Sequence, residues 1–316
     1  MTVAEGGAAA RESELHRLRE TIARFVALDT VTGSRALYRT AVGEFRRGVR
    51  RLSRRGAGTV PADLAAALAE LGEVAAWLCY DSEQQALSWR VSGQALPLAR
   101  AAGDSAMTRF LLSHRSMQAA YLGRGRTALD LADRALAERP RSRRVTAMMR
   151  VRRARALGVL GDGGGALAEL DRARAGLDGG VTADDPVWTW WLHDAELAAH
   201  EAEIRSVVGD VRGAVRASSA AVALLPAGQG RDQVLYRAAR IDDLINAGAW
   251  SEAVEVTEEI IASPAAVGTE RVPRMLRVSA GQAGRSRAPG LLLDALRHAA
   301  QIAGPPRPAP KTEEET

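Results

Sequence analysis

A short motif recurs four times along this chain and constrains the fold more than any other feature. In each copy a glycine is followed five residues later by alanine, and then by small or apolar residues four and three positions further on. The four glycines are Gly123, Gly161, Gly209 and Gly248. Glycine permits a tight turn, and small residues let the next helix nest against the helix before it. The motif therefore predicts helical hairpins, with each glycine between two antiparallel helices.

Outside these copies, apolar residues recur every three or four positions, which is the period of an amphipathic helix. The clearest stripes are Leu15, Leu18, Ile22 and Phe25, then Tyr38, Val42, Phe45, Val49 and Leu52, and then Leu64, Leu68, Leu71, Ala75 and Leu78. Aromatic residues make up only 4% of the chain, which suits packed helices better than sheets. We therefore expect an all-α solenoid of helical hairpins without a sheet.

The same patterns predict where the domains begin and end. We expect disordered tails at 1–10 and 304–316, an N-terminal helical hairpin at 11–57, the repeat array at 58–263 and C-terminal capping helices at 264–303. The segment GPPRPAPKTEEET at the C-terminus has too much proline and charge to pack into a core.

Composition excludes several classes of protein. Cys79 is the only cysteine, so the chain has neither an internal disulfide nor a cysteine-based metal cluster. The start, MTVAEGGAAARESE, lacks the apolar segment of a secretory signal. No stretch of about 18 uncharged apolar residues is present, so no membrane span is expected. We expect a cytoplasmic protein without a membrane partner.

The spacing of the motif resembles a known repeat. Alanines followed by proline at 128–140 and 214–226 are similar to the second helix of the tetratricopeptide repeat. The first-helix signature of that family is largely missing, since Ser116, Ala154 and Ala202 stand where glycine would. The resemblance implies a tetratricopeptide-like helical-hairpin solenoid whose first helices line a concave groove.

A wider resemblance covers nearly the whole chain. The segments ALDTVTGSRALYRTAVGEFR, ELGEVAAWLCYDSEQQAL, SMQAAYLGR, DPVWTWWLHDAELAAHEA and VGDVRGAV resemble the C-terminal repeat region of actinobacterial helix-turn-helix transcriptional regulators. In that family a short N-terminal DNA-binding domain precedes this region. The first ten residues here cannot hold a recognition helix, so we expect no sequence-specific DNA binding by this chain alone.

The tetratricopeptide resemblance also implies binding residues. Carrying the family's groove positions onto this register gives Phe110, Met117, Tyr121, Met148, Arg155, Glu196, Glu203 and Asp242. The first four would be apolar anchors, and the last four would fix polar groups of a ligand. We expect a protein or peptide partner, or a small-molecule ligand, and no cofactor.

Two other patterns suggest ligands but favour structural roles. The sequence GDGGGA at 161–166 fits a dinucleotide fingerprint, which needs a preceding β-strand, yet the segment before it has helical spacing. His193, Glu196, His200 and Glu203 share one helix face and are metal-ligand types. No further ligand is identifiable nearby, so hydrogen bonding is the favoured role.

Arginines carry almost all of the positive charge, and they cluster in two stretches. The first holds Arg46, Arg47, Arg50, Arg51, Arg54 and Arg55, and the second extends from Arg139 to Arg155. Arginines at helical spacing could contact phosphates, but no aromatic residues alternate with them as in single-strand binding. A solvated helix face is the favoured interpretation.

Together these patterns favour a regulatory binding module in transcriptional control, and not an enzyme. The first alternative is a scaffold that forms a homodimer and recruits another enzyme or regulator. The second is an enzyme with a site near His193–Glu203. No nucleophile elbow, Walker loop or His/Cys/Asp group is recognisable in the sequence.

Overall fold

The computed structural model describes residues 3–54, 60–137, 141–225, 230–263 and 270–304, without the side chains of 3–8, 187 and 190. These ranges contain fourteen α-helices, two short 3-10 helices and no β-strand. The α-helices are α1 (Val3–Thr32), α2 (Tyr38–Ser53), α3 (Ala62–Asp81), α4 (Gln85–Ala101), α5 (Ser105–Tyr121), α6 (Gly125–Ala137), α7 (Arg143–Val159), α8 (Gly163–Leu177), α9 (Asp194–Val207), α10 (Val211–Ala223), α11 (Gly230–Asn246), α12 (Trp250–Ile261), α13 (Arg271–Arg285) and α14 (Gly290–Ile302). The 3-10 helices are Ser34–Ala36 and Val187–Trp191.

All four predicted turn glycines lie between consecutive antiparallel helices, as expected. Gly123, Gly161, Gly209 and Gly248 have φ values of 72°, 85°, 81° and 69°. In each turn the following amide donates to the carbonyl five residues earlier, as in Asp162 N to Leu157 O at 2.9 Å. This is the Schellman arrangement, which glycine adopts without steric cost. The sequence-predicted helical-hairpin solenoid is therefore confirmed.

The alanine that follows each turn glycine is completely buried. Ala128, Ala166, Ala214 and Ala253 all have 0% exposure. In the first hairpin the Ser116 hydroxyl donates to the Ala128 carbonyl at 2.7 Å, across the contact between α5 and α6. A larger side chain at these positions would hold the two helices apart.

The helices form two layers along the array. The first helices of the hairpins, α3, α5, α7, α9, α11 and α13, each pack on the next, and the second helices pack outside them. α1 and α2 both pack on α3 and share one hydrophobic core with it, which extends to Leu111 of α5. The predicted N-terminal hairpin is thus continuous with the array. None of the described helices is long and apolar enough to span a membrane.

One boundary differs from the prediction. α1 begins at Val3, so residues 3–10 are helical and not a disordered tail. The segment is rich in alanine, a strong helix former, and it extends an amphipathic helix that packing already stabilises. Residues 305–316 of the predicted C-terminal tail lie outside the described residues, as do Pro140 and Pro226 of the repeat pattern.

Candidate functional site on the inner face

Side chains from the two ends of the array meet on the face formed by the first helices. Arg231 of α11 lies 2.9 Å from the Asp29 carboxylate of α1 and also pairs with Asp81 at the end of α3. Arg271 of α13 lies 3.6 Å from Asp81. Because these contacts join α1 and α3 to α11 and α13, the first helices face one another across the interior. We call this side of the first helices the inner face.

Hydrogen bonds from neighbouring residues hold the two acceptor carboxylates in place. The Ser34 hydroxyl donates to Asp81 Oδ2 at 2.7 Å, and the Trp77 indole donates to Asp29 Oδ2 at 3.2 Å. Burial raises the pKa of Asp29, against the opposing charge of Arg231. A carboxylate in this environment is costly to ionise unless a cation stays beside it. The structure therefore requires Arg231 where the two ends of the array meet. We call this junction, formed by Asp29, Asp81, Arg231 and Arg271, the seam.

A second group of charges lies further along the inner face, where α7 packs on α9. Arg155 lies 2.7 Å from Glu203, and Arg152 lies 3.2 Å from His200 Nε2. The His200 ring is also 3.1 Å from Glu196 and 3.5 Å from Glu203, one helical turn to either side of it. The Tyr236 hydroxyl of α11 donates to Glu196. We call Arg152, Arg155, Glu196, His200, Glu203 and Tyr236 the central polar cluster.

Burial and mutual attraction shift the ionisation of this cluster in opposite directions. Burial by itself raises the pKa of Glu203, but Arg155 and His200 outweigh it and bring the pKa down to about 2. Likewise, His200, Tyr236 and Arg152 together overcome burial and hold the pKa of Glu196 well below its usual range. Burial lowers the pKa of Arg152 to about 10. The two arginines and two glutamates of the cluster are therefore paired charges at neutral pH, with Arg152 buried and Glu203 partly exposed.

Two tyrosines, one from α3 and one from α5, contact arginines of α13 beside the seam. The Tyr80 side chain is 1% exposed, and the Arg271 guanidinium lies 5.2 Å from its ring centre. Tyr121 packs edge-on against Tyr80, with 5.4 Å between ring centres. The Tyr121 hydroxyl donates to Glu83 and accepts from Arg274. Polar contacts therefore continue along the inner face from α3 to α13.

The eight sequence-predicted binding residues do not form one site. Arg155, Glu196 and Glu203 come together in the central polar cluster, whereas Tyr121 contacts Tyr80, Glu83 and Arg274. Asp242 is separate and accepts a 2.5 Å hydrogen bond from the Ser279 hydroxyl of α13.

The predicted apolar anchors lie mainly in the core. The Phe110 ring stacks on Trp188 with 4.2 Å between centres, and Met117 is 7% exposed. Met148 is completely buried in the hydrophobic core around α7 and α8, so it does not line a groove. Its predicted role as a binding anchor is wrong. This turn of α7 faces the core, whereas the equivalent turn of α9 places Glu196 on the inner face.

The sequence patterns named His200 through its helix face and Arg152 only as part of the second arginine stretch, and they did not single out His114, Tyr236 or Arg231. His114, Arg152 and His200 each lie nine positions before a turn glycine, and all three are at most 5% exposed. A buried polar residue at one register position in three successive first helices is a signal that the pattern contained. Tyr236 and Arg231 left no comparable signal, because their partners come from distant parts of the chain.

The geometry around His193 gives a structural role to that residue. His193 precedes α9, and its Nδ1 accepts from the Glu196 amide at 3.3 Å, as an N-cap does. No group of three or more His, Cys, Asp and Glu side chains in the part of the chain that the structure describes is arranged to hold a metal ion. Gly161 of GDGGGA follows helix α7 and no strand, so the nucleotide fingerprint lacks its structural context.

The two arginine stretches have different environments. In α2, Arg46, Arg50, Arg51 and Arg54 are exposed, while Arg55 lies outside the described residues. In the second stretch, by contrast, Arg144 and Arg152 are buried, and Arg150 and Arg153 both pair with Glu169. Arg139 is outside the described residues. Most of the second stretch is therefore engaged within the protein, and the first is the solvated one.

Comparison with known proteins adds little to this geometry. No protein-family model matches the chain, and no curated protein matches it. Among solved structures, the chain is similar to the crystal structure of BtubC (BKLC) from P. vanneervenii. The two are 18% identical, the match covers 79% of this chain and 93% of that one, and the TM-score is 0.47. A likeness this distant assigns no function to the chain.

Proposed function

We propose that this protein is a regulatory binding module whose inner face holds a peptide, a small ligand or a partner protein. The observation that supports this is the central polar cluster. Neither buried nor partly exposed ion pairs contribute much net stability compared with well-packed apolar residues, so a structural role alone explains the cluster poorly. Perturbed charges grouped on one face of a fold are more typical of binding and functional sites.

The cluster suggests how a ligand would be held. Arg155 and Glu203 form a 2.7 Å pair between α7 and α9, with 14% and 45% of their side chains exposed. A ligand carboxylate would replace Glu203 on Arg155, and a ligand cation would replace Arg155 on Glu203. The first exchange is the less costly one, because it keeps the mostly buried Arg155 paired and releases Glu203, which is already 45% exposed.

The cellular role rests on the family resemblance. We place the protein in the cytoplasm of an actinobacterium, where it would act in transcriptional control by binding partners and not by catalysis. The arrangement of Glu196, His200 and Arg152 supports a binding role, because each of these side chains is paired with another and none is a nucleophile beside a free base.

A ligand screen with matched variants tests the proposal. Peptides, metabolites and candidate regulators are screened for an increase in thermal stability of the purified protein. Each hit is then titrated against Glu203→Gln and Arg155→Gln, and against Arg237→Gln and Glu259→Gln as controls. The control pair also joins two helices, at 2.6 Å, but lies between α11 and α12, away from the cluster.

The proposal predicts a loss of affinity of about tenfold or more in the cluster variants and about twofold or less in the controls. A ligand whose affinity is unchanged in both cluster variants, with circular dichroism showing intact folds, would place binding elsewhere. In that case the inner face would lose its assigned role.

A further inference from the structure

A cavity of ≈ 500 Å³ opens where the two ends of the array meet. Its wall includes Arg35 and Arg39 from the start of α2 and the 3-10 helix before it, Glu83 from the turn after α3, and Glu270, Arg274 and Arg277 from the start of α13. These residues are brought together only by closure of the array. We call this space the seam cavity.

The charges around the seam cavity do not cancel. Arg35 lies 2.7 Å from Glu270, and Arg274 lies 3.7 Å from Glu83, so these four side chains form two pairs. Arg39 and Arg277 are exposed, and no carboxylate among the described residues lies within ion-pair distance of either. Arg39 instead donates to the Tyr38 hydroxyl at 3.0 Å. Two arginines therefore face one cavity without an anionic partner in the part of the chain that the structure describes.

The backbone conformation of Glu83, in the wall of the seam cavity, is energetically unfavourable for a residue with a side chain. Its φ is 58°, in the left-handed region where five other turns of the array use glycine. A residue with a side chain costs about 1 kcal/mol or more there. Glu83 offsets that cost through contacts of its carboxylate with the Tyr121 hydroxyl and Arg274. The result is a fixed carboxylate that positions Arg274 at the cavity.

From these observations we propose that the seam cavity binds a small molecule carrying a phosphate monoester. The planar guanidinium groups of Arg39 and Arg277 match phosphate oxygens in geometry, and together they balance a dianion. The volume of ≈ 500 Å³ exceeds that of phosphate alone and leaves room for an organic group beside it. The ligand would bridge α2 and α13 and stabilise the closed array.

This inference goes beyond the proposed function, because none of these arginines belongs to the central polar cluster. The two ideas therefore fail independently. If no phosphate ligand binds the seam cavity, the ligand screen that uses the Glu203 and Arg155 variants is unaffected. If that screen finds no ligand for the central polar cluster, the phosphate experiment is unaffected.

Isothermal titration calorimetry in a chloride buffer tests the site with three probes: glycerol 3-phosphate, inorganic phosphate and glycerol. The test variant is Arg39→Gln with Arg277→Gln. The control variant is Arg17→Gln with Arg51→Gln, which removes the same charge from a second arginine-rich cavity, of ≈ 560 Å³, between α1 and α2. All four arginines are exposed, so both variants are expected to fold.

We expect glycerol 3-phosphate to bind the wild-type protein more tightly than inorganic phosphate, and glycerol not to bind. The test variant should lose affinity by about tenfold or more, and the control by about twofold or less. Equal weakening in both variants would mean a general response to net charge. No heat of binding with the wild-type protein at about 1 mM glycerol 3-phosphate would also overturn the proposal. Should the double variant fail to fold, the single variant Arg277→Gln gives the same comparison.

Discussion

Arg231 of α11 bridges to Asp29 of α1, which lies 202 residues earlier, with 2.9 Å between the guanidinium and a carboxylate oxygen. A solenoid whose repeats contact only their neighbours has two free ends. Here the ends are joined by long arginine side chains. The contact between the ends is formed by charged side chains and not by the hydrophobic core.

Removal of the Arg231 charge should destabilise the protein strongly. Arg231→Gln leaves the Asp29 and Asp81 carboxylates without this cation, and Asp81 is only 2% exposed. Breaking a buried pair from one side costs about 3 kcal/mol of unfolding free energy. Arg237→Gln removes an arginine paired with the exposed Glu259 and should cost less than about 1 kcal/mol. Urea denaturation followed by circular dichroism measures both. Equal, small losses would mean that the seam does not hold the ends together.

Two glycines of one hairpin should respond to alanine in opposite directions. At Gly161 and Gly164 a Cβ atom would meet nothing within 4 Å, so sterics favour neither change. Gly161 has a φ of 85°, and Gly161→Ala should cost about 1 kcal/mol of stability. Gly164 lies inside α8, and Gly164→Ala should add about 0.5 kcal/mol. Thermal unfolding distinguishes the two. Tolerance of alanine at Gly161 would contradict the left-handed turn assigned to the repeat motif.

These features divide into those that local sequence encodes and those that it does not. Helical periods and the turn at Gly161 depend on residues within a few positions, and both were predictable. At Glu83 a residue with a side chain takes the left-handed conformation that glycine has at Gly161, so the glycine motif gives no signal for that conformation. The seam was missed for another reason. Successive turn glycines are 38, 48 and 39 residues apart, and the curvature that brings Arg231 to Asp81 accumulates over all of these unequal repeats.

The predicted binding residues also depend on packing that the local sequence does not encode. The same repeat position is occupied by Glu196 in α9 and by Met148 in α7, and Met148 points into the core. The rotation of each first helix depends on its neighbours, so a family register transfers only where packing is equivalent. Glu196 and Glu203 could be proposed from the family pattern. Their partners Arg152 and Tyr236 could not, since each comes from an adjacent repeat.

The buried Asp242 carboxyl should make stability depend on pH. Burial raises its pKa from 3.8 to about 6, although the Ser279 hydroxyl opposes the shift. A raised folded-state pKa means that stability from this group is present below about pH 4 and is lost as the pH rises to about 6. Asp242→Asn keeps an acceptor for Ser279 and should add about 3 kcal/mol near pH 7, and nothing near pH 4.

Thermal unfolding at several pH values checks this prediction. Asp294→Asn is the control, since the Asp294 side chain is 78% exposed. Burial also raises the pKa of Asp243 to about 6, and the neighbouring Asp242 carboxylate adds to that shift, so part of the pH-dependent gain from Asp242→Asn comes through Asp243. A gain from Asp242→Asn that is equal at both ends of the pH range would rule out the carboxyl as its source.

The last prediction concerns DNA. Arg46, Arg50, Arg51 and Arg54 form an exposed basic face on α2, and arginine contacts to phosphate carry no sequence information. We expect weak, sequence-independent binding that falls steeply with salt through counterion release. Arginines of the second stretch should contribute little, because Arg150 and Arg153 are paired with Glu169.

Fluorescence anisotropy with promoter and scrambled duplexes, from about 50 to about 200 mM salt, tests this expectation. Arg50→Gln with Arg54→Gln should reduce the slope of log affinity against log salt by up to about 2, since each phosphate contact contributes about 0.9. Arg150→Gln with Arg153→Gln removes the same charge and should leave the slope unchanged. An equal effect of both variants would mean that net charge, and not the α2 face, drives binding. A preference of about 100-fold for one duplex that persists at the higher salt would require an element that reads base edges in a groove, and the protein would then act on DNA directly.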